Sequence, residues 1–171
     1  MTRIVPLAQI AADQVEALLD RAFGPGRHAR TAYRVRTGTQ ALDGLSFAAL
    51  ADDGALQGSI QSWPVALACD DGTRVAMVMV GPVAVEPAVQ QAGIGRLLMQ
   101  HMLDAADRAP DPMPLMLIGD PGYYGRFFGF DAAKTGGWRL PGPFEAHRLL
   151  ARGATVPGCA GELQPRRVAT A

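Results

Sequence analysis

Val83-Ala84-Val85-Glu86-Pro87-Ala88-Val89-Gln90-Gln91-Ala92-Gly93-Ile94-Gly95-Arg96-Leu97-Leu98-Met99-Gln100 decides how this chain is read. An alternating run with valine at Val83 and Val85 enters the stretch, and Pro87 stops it. Two glycines one residue apart follow, and then an amphipathic helix begins. Ile94, Leu97, Leu98, Met102 and Leu103 have the spacing of one buried helical stripe. A strand that turns through glycines into a helix leaves the first backbone N–H groups of the helix unpaired. The same end carries partial positive charge, which suits phosphate groups. Gly93 and Gly95 have no Cβ and let a ligand approach the backbone closely. Gln90, Gln91 and Ala92 bring no negative charge. These features predict a pyrophosphate-binding turn from Gln90 to Arg96. Tight-turn geometry alone would also account for the two glycines. A nicotinamide dinucleotide is disfavoured, because Leu98 stands where the third glycine of that fingerprint belongs. The Gly-Lys-Ser/Thr of a phosphate loop is absent.

The 171 residues suffice for one domain with a sizeable core and are too few for two ordinary ones. Hydrophobic residues make up 49% of the chain, yet no apolar run approaches the ~20 residues of a membrane span. Met1-Thr2-Arg3-Ile4-Val5-Pro6 lacks the apolar core of a secretory signal. The formal net charge is +0, which argues against a general nucleic-acid binder. Cys69 and Cys159 read as two lone thiols without metal-ligand spacing, so a reduced, cytoplasmic chain with no metal site is expected.

Outward from the central stretch, the apolar pattern of Ile10, Val15, Leu18, Leu19 and Phe23 predicts a helix over 7–23, ended by Gly24-Pro25-Gly26. Arg27, His28, Arg30, Arg34 and Arg36 surround Tyr33 and read as a solvated face, with the border of an acceptor pocket as the alternative. Residues 45–51, 56–68 and 74–85 read as three strands of an antiparallel meander. Asp52-Asp53-Gly54 and Asp70-Asp71-Gly72 form its turns. Pro64 implies a bulge or an edge position, and Gly81-Pro82-Val83 a bulge. Pro114-Leu115-Met116-Leu117-Ile118-Gly119 is a continuous apolar run and reads as a buried parallel strand, completing a right-handed βαβ unit. A short helix over 123–128 and strands near Gly129-Phe130, Trp138–Leu140 and His147–Ala151 follow. The expected division is one domain over 1–163 and a flexible tail over 164–171.

Gln90-Gln91-Ala92-Gly93-Ile94-Gly95 resembles the Gln/Arg-x-x-Gly-x-Gly/Ala motif of the GNAT superfamily of N-acetyltransferases, and Val83-Ala84-Val85-Glu86-Pro87 resembles the strand before it. Gly119-Asp120-Pro121-Gly122-Tyr123-Tyr124-Gly125-Arg126-Phe127-Phe128-Gly129-Phe130 is similar to the tyrosine-bearing helix of a predicted-acetyltransferase subgroup with a Gly-Asp-Pro-x-Tyr-Tyr signature. The resemblance spans about Ile4 to Arg152. It implies an α/β fold with a mixed sheet, a meander followed by a βαβ unit whose parallel strands splay apart. It also implies acetyl transfer from acetyl-CoA to a primary amine of a small molecule or peptide by direct attack. Donor contacts would come from Val83, Val85, Gln90, Gln91, Ala92, Gly93, Ile94, Gly95 and Arg96, mostly through backbone. A homodimer through the C-terminal strands is a further implication.

In that chemistry a neutral amine attacks the thioester carbonyl, and a fixed backbone donor near Val83 stabilises the developing oxyanion. A tyrosine with an ordinary pKa near ~10 is protonated at neutral pH and can protonate the leaving thiolate. Tyr124 is the first choice of general acid; Gly129 stands five residues after it, where the family spacing is four, and this departure keeps Tyr123 as the second. Glu86 is the first candidate base and Asp120 the second, with a solvated carboxylate and a helix cap as their plain alternatives. A longer acyl-CoA donor and a non-catalytic CoA-binding sensor are the competing readings.

Overall fold

The computed structural model describes residues 1–168. It is a mixed α/β structure whose strands hydrogen-bond in the order β1-β2-β3-β4-β5-β7, with β8 pairing β3 and β6 pairing β8. The strands are β1 (Arg3–Pro6), β2 (Phe47–Leu50), β3 (Leu56–Cys69), β4 (Arg74–Val85), β5 (Leu115–Ile118), β6 (Trp138–Arg139), β7 (Leu149–Arg152) and β8 (Gly161–Pro165). The helices are α1 (Ala12–Phe23), α2 (Thr31–Val35), α3 (Ile94–Asp107) and α4 (Pro121–Phe128). The meander is present, and β4 and β5 are parallel in the register Val78↔Leu115 and Met79↔Met116. The pairs β1–β2, β2–β3, β3–β8 and β5–β7 are antiparallel. The chain divides into two compact units, and β3 and β4 pass through both.

The first unit holds Met1–His28, Ala41–Ser62 and Gly81–Pro110. Its sheet places Val5 opposite Ala48 and Ala48 opposite Ser59, so these side chains share one face. Val15, Leu18 and Leu19 of α1 bury that face together with Ala48, Leu50 and Ala84. The opposite face carries α3. Phe47 meets His101 edge-on with centroids 4.5 Å apart. Ile94, Leu98, Met99, Met102, Leu103 and Ala106 are the buried stripe of α3. Leu97, expected in that stripe, is 49% exposed; its position falls one residue to the solvent side of the row that meets the sheet. The N-terminal helix starts at Ala12, not at Leu7, because Leu7–Gln9 is a 3-10 turn joining β1 to α1. Arg27 is buried and bonds Glu16 and Asp20, so this arginine is no part of a solvated face.

The second unit holds Ala29–Gln40, Trp63–Val80 and the chain from Asp111 to the last described residue. Its core gathers Val65, Leu67, Met77, Met79, Met116, Trp138, Leu149 and Leu163. Cys69 N–H donates to Thr73 O at 2.8 Å across the expected Asp70-Asp71-Gly72 turn. Pro64 lies between the end of the β2 register at Ile60 and the start of the β8 register at Val65, a point where a residue without an N–H is tolerated. Arg36 is also buried, its guanidinium 3.9 Å from the Tyr33 ring centroid and 3.8 Å from that of Trp63.

Three expectations are corrected in this unit. Cys69 and Cys159 are not lone thiols but a disulfide with Cα atoms 5.9 Å apart. Cys69 is opposite Gly161 in the β3–β8 ladder, so strand pairing brings together residues 90 positions apart. Gln164 and Pro165, assigned to the tail, are ladder residues opposite Ala66 and Val65, and residues 169–171 lie outside the described residues. Gly129-Phe130 begins no strand. Gly129 ends α4 in a left-handed conformation, and Asp131 makes a single bridge to Ala151. Among the described residues no helix is long and apolar enough to cross a membrane.

Gly58 sets how closely α3 approaches the sheet. A Cβ there would lie 2.9 Å from Ile94 Cγ2, 3.0 Å from Ala84 O and 3.1 Å from Leu98 Cδ1. Gly58→Ala is therefore expected to destabilise the protein by about 1–3 kcal/mol through overpacking. Thermal denaturation should show a midpoint several degrees lower, at roughly 2–4 °C per kcal/mol for a chain of this size. An unchanged midpoint would contradict the close packing.

Candidate active site

In the first unit the expected donor-binding residues form one continuous turn. Pro87–Ala92 is a 3-10 segment, and Gly93 (φ 78°) turns the chain into α3 in a left-handed conformation suited to glycine. No side chain caps the helix start, and its first turn holds no acidic residue. Leu97 N–H donates to Gly93 O at 3.1 Å. The N–H groups of Ile94 and Gly95 precede that first intrahelical bond, so helix geometry gives them no acceptor within the helix. Gln90, Gln91, Ala92 and Gly93 are exposed. A Cβ on Gly93 would meet no protein atom within 4 Å, so the approach to this backbone is open. A Cβ on Gly95 would stand 3.6 Å from Val85 Cγ2 and 3.9 Å from Val83 Cγ1. The first turn of α3 thus lies on the two valines that end β4. Glu86 follows them, and its carboxylate accepts from Arg21 Nε at 3.0 Å and Nη2 at 2.8 Å.

In the second unit β5 ends at Ile118, and Gly119-Asp120 leads into α4. Asp120 accepts from Gly122 N–H at 3.0 Å, the N-cap arrangement that the sequence offered as its plain alternative. Pro121 at the first helical position and Gly129 (φ 76°) after the last mark both helix ends. The Tyr124 ring lies over Gly119. A Cβ at Gly119 would fall 2.5 Å from Tyr124 Cε2 and 2.7 Å from Cδ2, so only glycine admits the ring there. Phe130 lies 6.4 Å and Tyr123 4.9 Å from the Tyr124 ring centroid, both edge-on. Burial raises the Tyr124 phenol above its ordinary value of 10.0; Tyr123 and Asp120 add to the rise and Arg148 opposes it. Tyr124 is consequently a protonated phenol throughout the physiological range. Tyr123 lies against Tyr124, Phe127 and Phe128.

The turn at Gln90–Arg96 was legible as a motif. The seat of Tyr124 on Gly119 was not, and its only trace in the sequence is a glycine between a buried apolar run and Asp120-Pro121. Arg21 as the partner of Glu86 left no trace, being 65 residues away.

Comparison with known proteins identifies the family and the fold. The family described as Acetyltransferase (GNAT) domain matches residues 3–133, and the chain belongs to that family. A GNAT family N-acetyltransferase from Escherichia coli, YhbS in complex with CoA, is 24% identical with a TM-score of 0.70, over 97% of this chain and 89% of that one. A GNAT family acetyltransferase from Brucella melitensis in complex with acetyl-CoA is 25% identical with a TM-score of 0.64, over 97% and 96%. No curated protein matches the chain in sequence.

A buried phenol with a raised pKa has a spectroscopic signature. In an alkaline titration followed at the phenolate absorbance, one component is expected to ionise above the ordinary tyrosine range, and Tyr124→Phe to remove it. Because the folded-state pKa is the higher one, this group's contribution to stability is complete below the unfolded value of ~10 and is lost as pH rises through the folded value. Retention of the high component in Tyr124→Phe would assign it to another tyrosine.

Proposed function

We propose that the protein transfers an acetyl group from acetyl-CoA to a primary amine of a small molecule or peptide by direct attack. The observation that carries this reading is the start of α3. Behind a left-handed Gly93 the N–H groups of Ile94 and Gly95 precede the first intrahelical bond, and the approach to this backbone is open, in a chain of the GNAT acetyltransferase family. The Brucella melitensis relative in complex with acetyl-CoA supports the choice of donor. Gln90 to Arg96 would hold the pyrophosphate, and the strand at Val83 and Val85 the pantetheine arm. The acceptor and the pairing of two copies belong to the same proposal.

The step balances without a metal. The amine lone pair forms the C–N bond at the thioester carbonyl, the backbone near Val83 donates to the oxyanion, and the C–S bond breaks as the intermediate collapses. Tyr124 gives its phenolic proton to the leaving thiolate, a role open to it at neutral pH because its raised pKa keeps the phenol protonated there. The proton lost by the amine passes to water or to Glu86, whose carboxylate is held by Arg21, and solvent returns a proton to Tyr124.

Two variants separate binding from chemistry. Gly93→Val places a β-branched side chain in the open approach to the helix start. It is expected to raise the acetyl-CoA dissociation constant at least ~10-fold by calorimetric titration, about 1.4 kcal/mol. Unchanged affinity in a folded variant refutes the donor site. Tyr124→Phe is expected to lower kcat about 10²-fold, read as CoA release, with acetyl-CoA affinity unchanged. A full-rate Tyr124→Phe enzyme excludes this tyrosine as the acid and turns attention to Tyr123.

A further inference from the structure

β3 carries an uncommon concentration of buried polar atoms without partners. Among the described residues Ser59 Oγ, Gln61 Oε1 and Ser62 Oγ of the first unit are buried and make no hydrogen bond. Ser59 and Ser62 are 0% exposed and Gln61 is 7% exposed. An orphaned buried polar atom carries its full desolvation penalty, so proteins retain few of them, and those few need an explanation. Nearby polar groups are satisfied: Ser62 N–H donates to Ser46 Oγ at 3.1 Å and Leu42 N–H to Ser62 O at 2.7 Å.

The orphans fall on defined faces. Ser59 is opposite Ala48, on the face covered by α1, and Gln61 follows two residues on along the same face. Gly58 and Ile60 point to the other face, toward α3. Ser62 belongs with them. Glu86 N–H donates to Gln57 O at 2.8 Å, which ties the two neighbouring strands together at that point. Counting four residues forward along β3 from Gln57 and four back along β4 brings Gln61 to the Gly81-Pro82 stretch. The adjoining residue is Val83, whose backbone is assigned above to the reacting carbonyl. Val83 itself turns toward Gly95 on the α3 face. The donor-binding turn and the Gln61 side chain therefore lie on opposite faces of the same stretch of sheet.

We propose that Gln61, with Ser59 beside it, is the position that recognises the acceptor amine; this rests on the acetyl-transfer reading. A primary amine directs its lone pair at the carbonyl carbon and its N–H bonds away from it. Gln61 Oε1 is a neutral acceptor for one of those N–H bonds. It orients the nucleophile without holding it as an ammonium ion, as a carboxylate would. The class selected is an amine that keeps a donor N–H during attack, in preference to an alcohol or a thiol.

The test uses Gln61→Met, which keeps the unbranched shape and removes the acceptor, and Ser59→Ala as a milder second variant. Nα-acetyl-lysine amide, spermidine and phenethylamine are assayed as acceptors by CoA release, together with acetyl-CoA calorimetry and thermal denaturation. The expected result is an unchanged or higher midpoint in Gln61→Met, since an unsatisfied group is removed, with unchanged acetyl-CoA affinity. The KM of the best wild-type amine should rise about 10-fold or more. A lower midpoint or a variant that fails to fold overturns the proposal, because the side chain then has a structural partner. A KM that does not move in a wild-type-like transferase overturns it alone. A wild-type protein that acetylates none of the three amines overturns it together with the acetyl-transfer reading.

Discussion

The packing of α3 on β3 and β4 is the constraint on which the candidate donor site depends. A helix start binds an anion only if something holds its first turn in place, because the open N–H groups that attract the ligand do nothing to hold the helix. Here the holding is done by apolar contact: Ile94 and Leu98 descend onto Gly58, and Gly95 rests on Val83 and Val85. Two glycines therefore do separate work. Gly58 lets the helix come down on the strand. Gly93 turns the incoming segment into the helix through its backbone conformation.

The second unit uses the same device for a side chain. Gly119 leaves room for the Tyr124 ring, and the aromatic residues around α4 take it out of water. Burial then raises the phenol's pKa, as it does for any acid whose charged form is desolvated. One arrangement fixes both the position of the hydroxyl and its protonation. By contrast, Glu86 and Asp120 already have partners, an arginine and a helix N-terminus.

What was legible in the sequence follows from the range of the signal. β4 and the start of α3 were read to within a residue, because a valine alternation, a proline and two glycines are local instructions. The antiparallel meander and the buried parallel β5 were legible for the same reason. The Cys69–Cys159 disulfide was not, since nothing in either neighbourhood announces a partner 90 residues away. β8 was missed because Gly161–Pro165 is short, polar at alternate positions and bounded by proline, features it shares with a loop. Arg27 and Arg36 were read as solvated because charge is the only local signal they carry. Their burial depends on Glu16 and Asp20 in one case and on two aromatic rings in the other.

The same distinction explains why the donor is easier to read than the acceptor. A pyrophosphate is recognised by backbone N–H groups, and backbone geometry is set by residues adjacent in sequence, so a six-residue motif suffices. An acceptor amine is recognised by side chains brought together from distant segments, and no motif records that meeting. Its trace is energetic instead. A buried amide oxygen left unpaired on a strand that could hold a methionine there at lower cost is a departure from the economy of the rest of the core. In β3 that departure is confined to a few residues beside the end of the strand that leads to the donor turn. Polar atoms retained against their own stability cost are therefore the best guide to the half of the site that sequence motifs leave blank.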